Sequence, residues 1–135
     1  EGIGYVKNQG ADTIVDYESQ SFENALHDFD AVLDTVGGDT YKRSFEVVKR
    51  GGIIVSMLAM PDEALMKKYG VRAALETTKV DSRKLGKITD LIKTEVLRPN
   101  ISNVYPLQLT KEAFEAKEKE TTLGKIAIEV KKSFA

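Results

Sequence analysis

Residues 30–38 read DAVLDTVGG, and this stretch decides the fold class. The run from Asp30 to Val36 is almost continuously apolar, which is typical of a strand covered on both faces in a parallel sheet. Gly37-Gly38 ends the run, and an apolar stripe with helical spacing follows it: Tyr41, Phe45 and Val48. A buried-type strand that leads through glycines into a helix predicts a βαβ arrangement.

The segments on either side repeat this alternation. Strands are predicted at 13–15, 30–36, 53–57, 71–77, 103–105 and 125–130. Helices are predicted at 21–27, 62–69, 82–97 and 110–120, and another from a cap at Asp39 or Thr40 to Arg50. We therefore expect an α/β fold: a Rossmann-like parallel sheet with helices on both faces, then a strand–helix–strand tail. The expected boundary lies near Pro99, between segments 1–98 and 99–135.

Composition excludes several classes of function. The chain has 135 residues, 20 Lys+Arg, 21 Asp+Glu and a formal charge of -1, so its charge gives no reason to expect nucleic acid as a partner. With no Cys and one His, it cannot build a thiolate or multi-histidine metal site alone. No apolar run approaches the roughly 20 residues that span a bilayer, and no signal-peptide pattern opens the chain. We expect a cytoplasmic protein without a membrane partner.

Ligands of open parallel sheets bind beyond the carboxyl ends of the strands, and this rule selects a few residues. Gly37-Gly38 leads into a helix whose first N–H groups could approach a ribose or phosphate; alternatively the glycines only form a tight turn. Asp34 ends a buried strand and needs a partner, for which a bond to the glycine turn is the simplest source. Ser56 could donate to a ligand or to backbone.

Other candidates carry weaker signals. Tyr17 could stack on a flat ring or donate its hydroxyl, or it could be a half-buried rim residue. His27 is better explained as a solvated imidazole at a helix end than as a catalytic base. Lys125 could reach an anion. The dinucleotide fingerprint G-x-G-x-x-G does not occur, and no residue is singled out as catalytic.

Four segments in the right order resemble the medium-chain dehydrogenase/reductases of the quinone oxidoreductase and zinc-type alcohol dehydrogenase-like type. They are GADTIVDY at 10–17, DAVLDTVGGDT at 30–40, VKRGGIIVS at 48–56 and GKIAIEV at 124–130. The resemblance covers nearly the whole chain. It implies an NADP(H)-dependent oxidoreductase that acts without zinc on a small-molecule substrate, such as a quinone or an activated C=C bond, by hydride transfer from the nicotinamide.

The resemblance also implies which residues contact the cofactor. Tyr17 matches the tyrosine at the adenosine 2'-phosphate end, and Val36 and Gly37 match the turn beside the nicotinamide-side ribose. The remaining matches are Ser56, Met57 and Leu58 along the nicotinamide, and Gly124 and Lys125 on the returning strand.

The chain departs from the family pattern at its start. The family's catalytic domain and the first βαβ unit of its nucleotide domain have no counterpart in these residues. The resemblance therefore implies a partial nucleotide-binding domain at 1–98 and a catalytic-domain segment at 99–135. We expect a C-terminal fragment that is inactive alone and forms a homodimer through exposed strand edges. Two alternatives stay open: a non-catalytic module that self-associates, and a small α/β enzyme with a phosphorylated substrate at Gly37-Gly38.

Overall fold

The computed structural model describes residues 2–119 and 122–130. The helices are α1 (Gly2–Asn8), α2 (Phe22–Ala25), α3 (Gly38–Ser44), α4 (Glu63–Tyr69), α5 (Ser82–Lys93) and α6 (Thr110–Lys119). The strands are β1 (Phe29–Asp34), β2 (Val48–Ser56), β3 (Arg72–Leu75), β4 (Ile101–Pro106) and β5 (Lys125–Glu129), with a 3-10 turn at Leu107–Leu109. These elements form two compact units: one spans residues 6–79, and the other contains residues 2–5, 80–119 and 122–130.

The unit of residues 6–79 is built on a three-stranded parallel sheet in the order β1-β2-β3. Asp34 pairs with Ser56, and Ser56 pairs with Leu75, so the carboxyl ends of all three strands meet at one edge of the sheet. The predicted α/β class with a parallel sheet is confirmed.

The core of this unit lies on one face of the sheet. Phe45 and Ile54 have no exposed surface, and the Phe45 ring meets the ring of Tyr41 edge-on at 5.3 Å. The other residues of the core are Val47, Val48 and Val71, with partly buried side chains from α2, α4, β1 and β3 among those packed against them. On the opposite face Leu33 is 68% exposed. The prediction that helices cover both faces of the sheet therefore stays a prediction for this second face.

Three local predictions for this unit are wrong. Residues 13–15 form no strand: they join neither sheet of the described chain, and the outer edge of β1 stays unpaired. The helix expected to reach Arg50 ends at Ser44, since Val48 already pairs with Phe29 in the parallel ladder. Neither Asp39 nor Thr40 caps that helix; its N-cap is Gly37.

Helix α4 begins and ends as its sequence predicts. The Asp62 carboxylate accepts the N–H of Leu65 at 3.0 Å, which satisfies one of the free amides of the first turn. Gly70, with φ +68°, ends the helix in the left-handed conformation and donates its N–H to the Met66 carbonyl.

The second unit contains a two-stranded parallel sheet of β4 and β5 joined by α6. Ala113 of α6 is buried, and Asn100 ties the strands by donating its side-chain amide to the Leu123 carbonyl at 2.7 Å. The expected strand–helix–strand tail is present; its helix was predicted to end at residue 120, which lies outside the described residues. The helical spacing of Leu85, Ile88, Leu91 and Ile92 predicts an apolar stripe of α5 that points inward, but Leu85 is 51% and Ile92 40% exposed.

The assignment of residues 1–98 and 99–135 to two functional domains stays a prediction, because packing within one chain does not assign a segment to a function. Residues 131–135 of the second segment lie outside the described chain. Across the residues that the structure describes, no helix is both long and apolar enough to cross a membrane.

Candidate functional site

The candidate site lies where β1 and β2 end side by side. Two segments leave this edge: residues 35–38, here the first loop, whose last residue Gly38 also begins α3, and residues 57–59, here the second loop. Because Asp34 and Ser56 are register partners in the sheet, the last side chain of each strand reaches the other strand directly beneath the loops. A backbone hydrogen bond also joins the two strand ends, because the N–H of Met57 donates to the Asp34 carbonyl at 2.9 Å.

Asp34 organises the first loop. Its side chain is almost fully buried, and Oδ1 accepts the N–H groups of Val36 at 3.0 Å and Gly37 at 2.9 Å. Burial raises the pKa of Asp34, but the hydrogen bonds from Ser56, Gly37 and Val36 outweigh that effect, so the pKa is lowered from its ordinary value. The carboxylate is therefore ionised at neutral pH. The expected bond between Asp34 and the glycine turn is confirmed.

Ser56 organises the second loop and joins it to the first. Its hydroxyl donates to Asp34 Oδ2 at 2.6 Å, while its Oγ accepts the N–H groups of Leu58 at 3.1 Å and Ala59 at 2.9 Å. Ser56 has no exposed surface, so this hydroxyl faces the chain rather than the solvent. One carboxylate–hydroxyl pair thus holds amides of both loops.

The two loops also touch each other at Gly37. This residue has φ +75° and ψ -161°, a backbone region open essentially only to glycine. A Cβ placed there would lie 3.1 Å from the Cβ of Leu58, closer than side chains ordinarily pack. Glycine is therefore required both by the backbone and by the second loop.

The outer surface of the loops is apolar. Val36 is 66%, Leu58 65% and Met57 38% exposed. The first loop reads TVGG and the second MLA, so neither carries a titratable side chain. Such a surface can hold a flat apolar group and offer it backbone polar groups, but it supplies no acid or base of its own.

The geometry disfavours a phosphate at Gly37-Gly38. The N–H groups of Val36 and Gly37 in the turn already donate to the Asp34 carboxylate, which leaves an anion only the amides of the first turn of α3. That carboxylate is itself a buried negative charge directly under the turn, and like charges repel most strongly where water is excluded. The buried carboxylate therefore disfavours a phosphorylated substrate at this turn.

The remaining predicted residues lie elsewhere. Tyr17 belongs to the same unit and is 84% exposed, on a turn in which Asp16 Oδ1 accepts the N–H of Glu18 at 3.1 Å. Gly124 and Lys125 lie at the start of β5 in the second unit, where they line an open cavity of about 380 Å³ with Phe114 and Lys117 of α6. The structure thus places six of the eight predicted residues in the unit of the three-stranded sheet and two in the other unit.

The contribution of Ala59 and the pairing of Asp34 with Ser56 were not predicted. The signal was present in the sequence, since each of the two buried strands ends in a small polar residue, Asp34 and Ser56. Reading it requires the register between strands 22 residues apart in sequence.

The donor set does not fit zinc. The chain has no cysteine and one histidine, and His27 is exposed. Over residues 2–119 and 122–130 the structure contains no cluster of three or more His, Asp or Glu side chains that could hold a metal ion.

Comparison with known proteins gives consistent relatives. A family model described as zinc-binding dehydrogenase matches residues 9–128. A curated protein of Arthroderma benhamiae named "Probable zinc-binding oxidoreductase, mitochondrial" is 27% identical over 134 residues, which cover 93% of this chain and 40% of that protein. The human protein named "NAD(P)H oxidoreductase RTN4IP1, mitochondrial" is 27% identical over 152 aligned positions, which cover 93% of this chain and 38% of that protein.

Solved structures share the fold. The quinone oxidoreductase from Coxiella burnetii superimposes with a TM-score of 0.81 at 27% identity, over 95% of this chain and 42% of that one. The chain therefore spans about two fifths of the length of the relatives that it matches.

Proposed function

The chain belongs to the zinc-binding dehydrogenase family over residues 9–128, and from this membership we propose that it supplies the nicotinamide-side part of an NAD(P)H-dependent oxidoreductase. The resemblance to medium-chain dehydrogenase/reductases is confirmed by this match and by the likeness to a quinone oxidoreductase. One of its curated relatives is named an NAD(P)H oxidoreductase, which supports the nicotinamide cofactor.

The observation that carries the proposal is the loop pair held by Asp34 and Ser56 at the carboxyl edge of a parallel sheet. This is the edge where open α/β sheets bind ligands. Val36, Met57 and Leu58 present apolar surface for a nicotinamide ring. The Gly37 carbonyl accepts the Tyr41 N–H at 3.3 Å and keeps a second lone pair for a ribose hydroxyl. When bound, the cofactor supplies the hydride, and these residues supply position.

The assignment of further cofactor contacts follows the resemblance. We propose Tyr17 for the adenosine 2'-phosphate end, which favours NADP(H), and Gly124 and Lys125 for the returning strand. Zinc does not fit the side chains of this chain, and we derive no step through it. No G-x-G-x-x-G occurs in the 135 residues, so none of them is proposed to hold the pyrophosphate.

The proposed substrate is a small molecule that accepts or donates hydride, namely a quinone, an activated C=C bond or an alcohol. The quinone class has the support of the Coxiella burnetii structure. Because the chain corresponds to about two fifths of its relatives and contains no pyrophosphate fingerprint, we propose that it does not turn over substrate alone.

Titration of NADPH into the 135-residue chain, followed by cofactor fluorescence, tests this proposal. We expect binding that is measurable but weaker than a Kd of about 10 μM, which corresponds to about -7 kcal/mol. No turnover of a simple benzoquinone is expected. Absence of any binding at about 10 mM NADPH, roughly -3 kcal/mol, would contradict the nicotinamide-side role. Binding tighter than a Kd of about 10 μM would contradict a site without a pyrophosphate loop.

A second candidate function is self-association without catalysis. β1 and β3 are the two edges of the three-stranded sheet, and Leu33 on β1 is 68% exposed. Unpaired strand edges readily pair with another chain, so a homodimer through an edge is the expected form. Light scattering over a wide concentration range separates the two: a dimer without nucleotide affinity favours this candidate, and a monomer at every concentration removes it.

The cytoplasmic location stays a proposal. Both curated relatives are named as mitochondrial, which makes mitochondria the alternative compartment. Fractionation of cells that express the natural gene product decides between the two.

A further inference from the structure

We propose that Asp34 and Ser56 are a positioning pair that makes the first and second loops open and close as one unit, so that the nicotinamide-side surface exists only when both loops are in place. The inference rests on the proposed function for its ligand, but the coupling of the loops is a property of the chain itself. It concerns how the site is held, which neither the family match nor the relatives describe.

All three hydrogen-bonding positions of the Ser56 hydroxyl are occupied. A serine hydroxyl has one donor and two acceptor positions. Here the donor goes to Asp34 Oδ2, and the acceptors take the amides of Leu58 and Ala59. Every position is used, so the hydroxyl has one orientation, and that orientation depends on both strands at once.

Asp34 closes the other half of the network. Its Oδ1 accepts the amides of Val36 and Gly37, so four loop amides converge on two buried side chains. Releasing the second loop removes its two amides from Ser56, and the hydroxyl then no longer has a fixed direction toward Oδ2. A buried carboxylate that loses a hydrogen bond is penalised strongly, so we expect the first loop to loosen with it.

Amide hydrogen exchange of the chain without nucleotide tests the coupling. In Ser56→Ala the amides of Leu58 and Ala59 lose their acceptor directly. The amides of Val36 and Gly37 keep theirs, yet we expect their exchange to accelerate by about tenfold, the size of one buried hydrogen bond. If they stay within about twofold of the unaltered chain, the loops are independent and the proposal is overturned.

Ser44→Ala is the matched control. Ser44 is also buried and in the same unit, and its hydroxyl donates to the Thr40 carbonyl within α3 at 2.8 Å. This variant removes a buried hydroxyl without touching either loop, so all four loop amides should exchange as in the unaltered chain. Acceleration of Val36 and Gly37 to the same extent in both variants would show general destabilisation and overturn the proposal.

A measurement on the unaltered chain covers the case in which Ser56→Ala does not fold. Amides released by one opening event share one opening free energy and one dependence on denaturant. We expect Val36, Gly37, Leu58 and Ala59 to have the same protection within about threefold and the same urea slope. Two clearly separate groups, one for each loop, would overturn the coupling.

Measuring the NADPH affinity of the variants separates the positioning role from the proposed function. If the unaltered chain binds NADPH, Ser56→Ala should weaken the affinity by about tenfold, and Ser44→Ala should leave it unchanged. The affinities are measured well below the unfolding temperature of each variant. Equal affinities in the three chains would overturn the positioning role. If the unaltered chain binds no NADPH, the proposed function fails, while the exchange experiments still decide whether the pair couples the loops.

Discussion

Replacing Gly37 with alanine tests the contact between the two loops. Gly37 has φ +75° and ψ -161°, and a side chain held in that region costs about 1–3 kcal/mol. The new Cβ would also lie 3.1 Å from the Leu58 Cβ, and relieving such overpacking costs about 1–3 kcal/mol more. A single shift of the loop can relieve part of both the backbone strain and the close contact, so the two costs do not add fully. We therefore expect a total loss of about 3 kcal/mol in the free energy of unfolding.

Gly38→Ala is the matched control, one residue along the chain. Gly38 also has a positive φ, +58°, but a Cβ there meets nothing within 4 Å. Only the left-handed backbone then contributes, at about 1–2 kcal/mol. Urea denaturation followed by far-UV circular dichroism compares the two. A loss for Gly37→Ala no greater than that for Gly38→Ala would refute the close contact with the second loop.

Three further predictions concern the core, the buried carboxylate and a helix cap. Phe45→Ala removes a ring with no exposed surface and should lower the free energy of unfolding by about 3–5 kcal/mol in urea; a loss below about 1 kcal/mol would contradict the core. The pKa of Asp34 is lowered in the folded chain from its ordinary value of 3.8, so its stabilisation is complete above that value and disappears as pH falls through the folded pKa. Urea midpoints across acidic pH should therefore decline less in Asp34→Asn than in the unaltered chain, and an equal decline would contradict this. Asp62→Ala removes the cap of α4 and should cost about 1 kcal/mol, whereas an unchanged midpoint would show that the cap bond to Leu65 contributes nothing.

The parts of the fold that depend on local pattern were predictable from sequence. The apolar runs at 30–36 and 53–57 became β1 and the end of β2, and the Asp62 and Gly70 signals delimited α4. Each of these depends on interactions within a few residues. The same holds for β5, whose alternating pattern starts directly after Gly124.

The failures share a non-local cause. Residues 13–15 have strand propensity, but propensity alone does not form a strand: these residues pair with no other strand, although the outer edge of β1 is free. Val48 has the right spacing for a helical stripe with Phe45, yet pairing with Phe29 draws it into β2. The stripe of α5 was read correctly as amphipathic, but a sequence pattern does not show what covers a helix face; Leu85 is half exposed.

The candidate site was half predictable. Asp34 was expected to bond the glycine turn, because a buried carboxylate needs donors and the turn amides are adjacent in sequence. Its second partner, Ser56, could not be inferred, since that contact depends on the register between two strands. Ser56 was expected to bond a ligand or backbone. The backbone contact is present, with the amides of Leu58 and Ala59, and the bond to Asp34 is the contact that was missed.

The central claim is that the loops held by Asp34 and Ser56 receive the nicotinamide end of the cofactor. Backbone amide chemical shifts of the 135-residue chain, recorded with nicotinamide mononucleotide and separately with adenosine monophosphate, test it most directly. The account predicts that the nicotinamide nucleotide shifts amides within residues 36–38 and 57–59, and that the adenine nucleotide leaves them in place. If nicotinamide mononucleotide at about 10 mM shifts none of these amides, the account is contradicted; a Kd of that size corresponds to a binding free energy of about -3 kcal/mol.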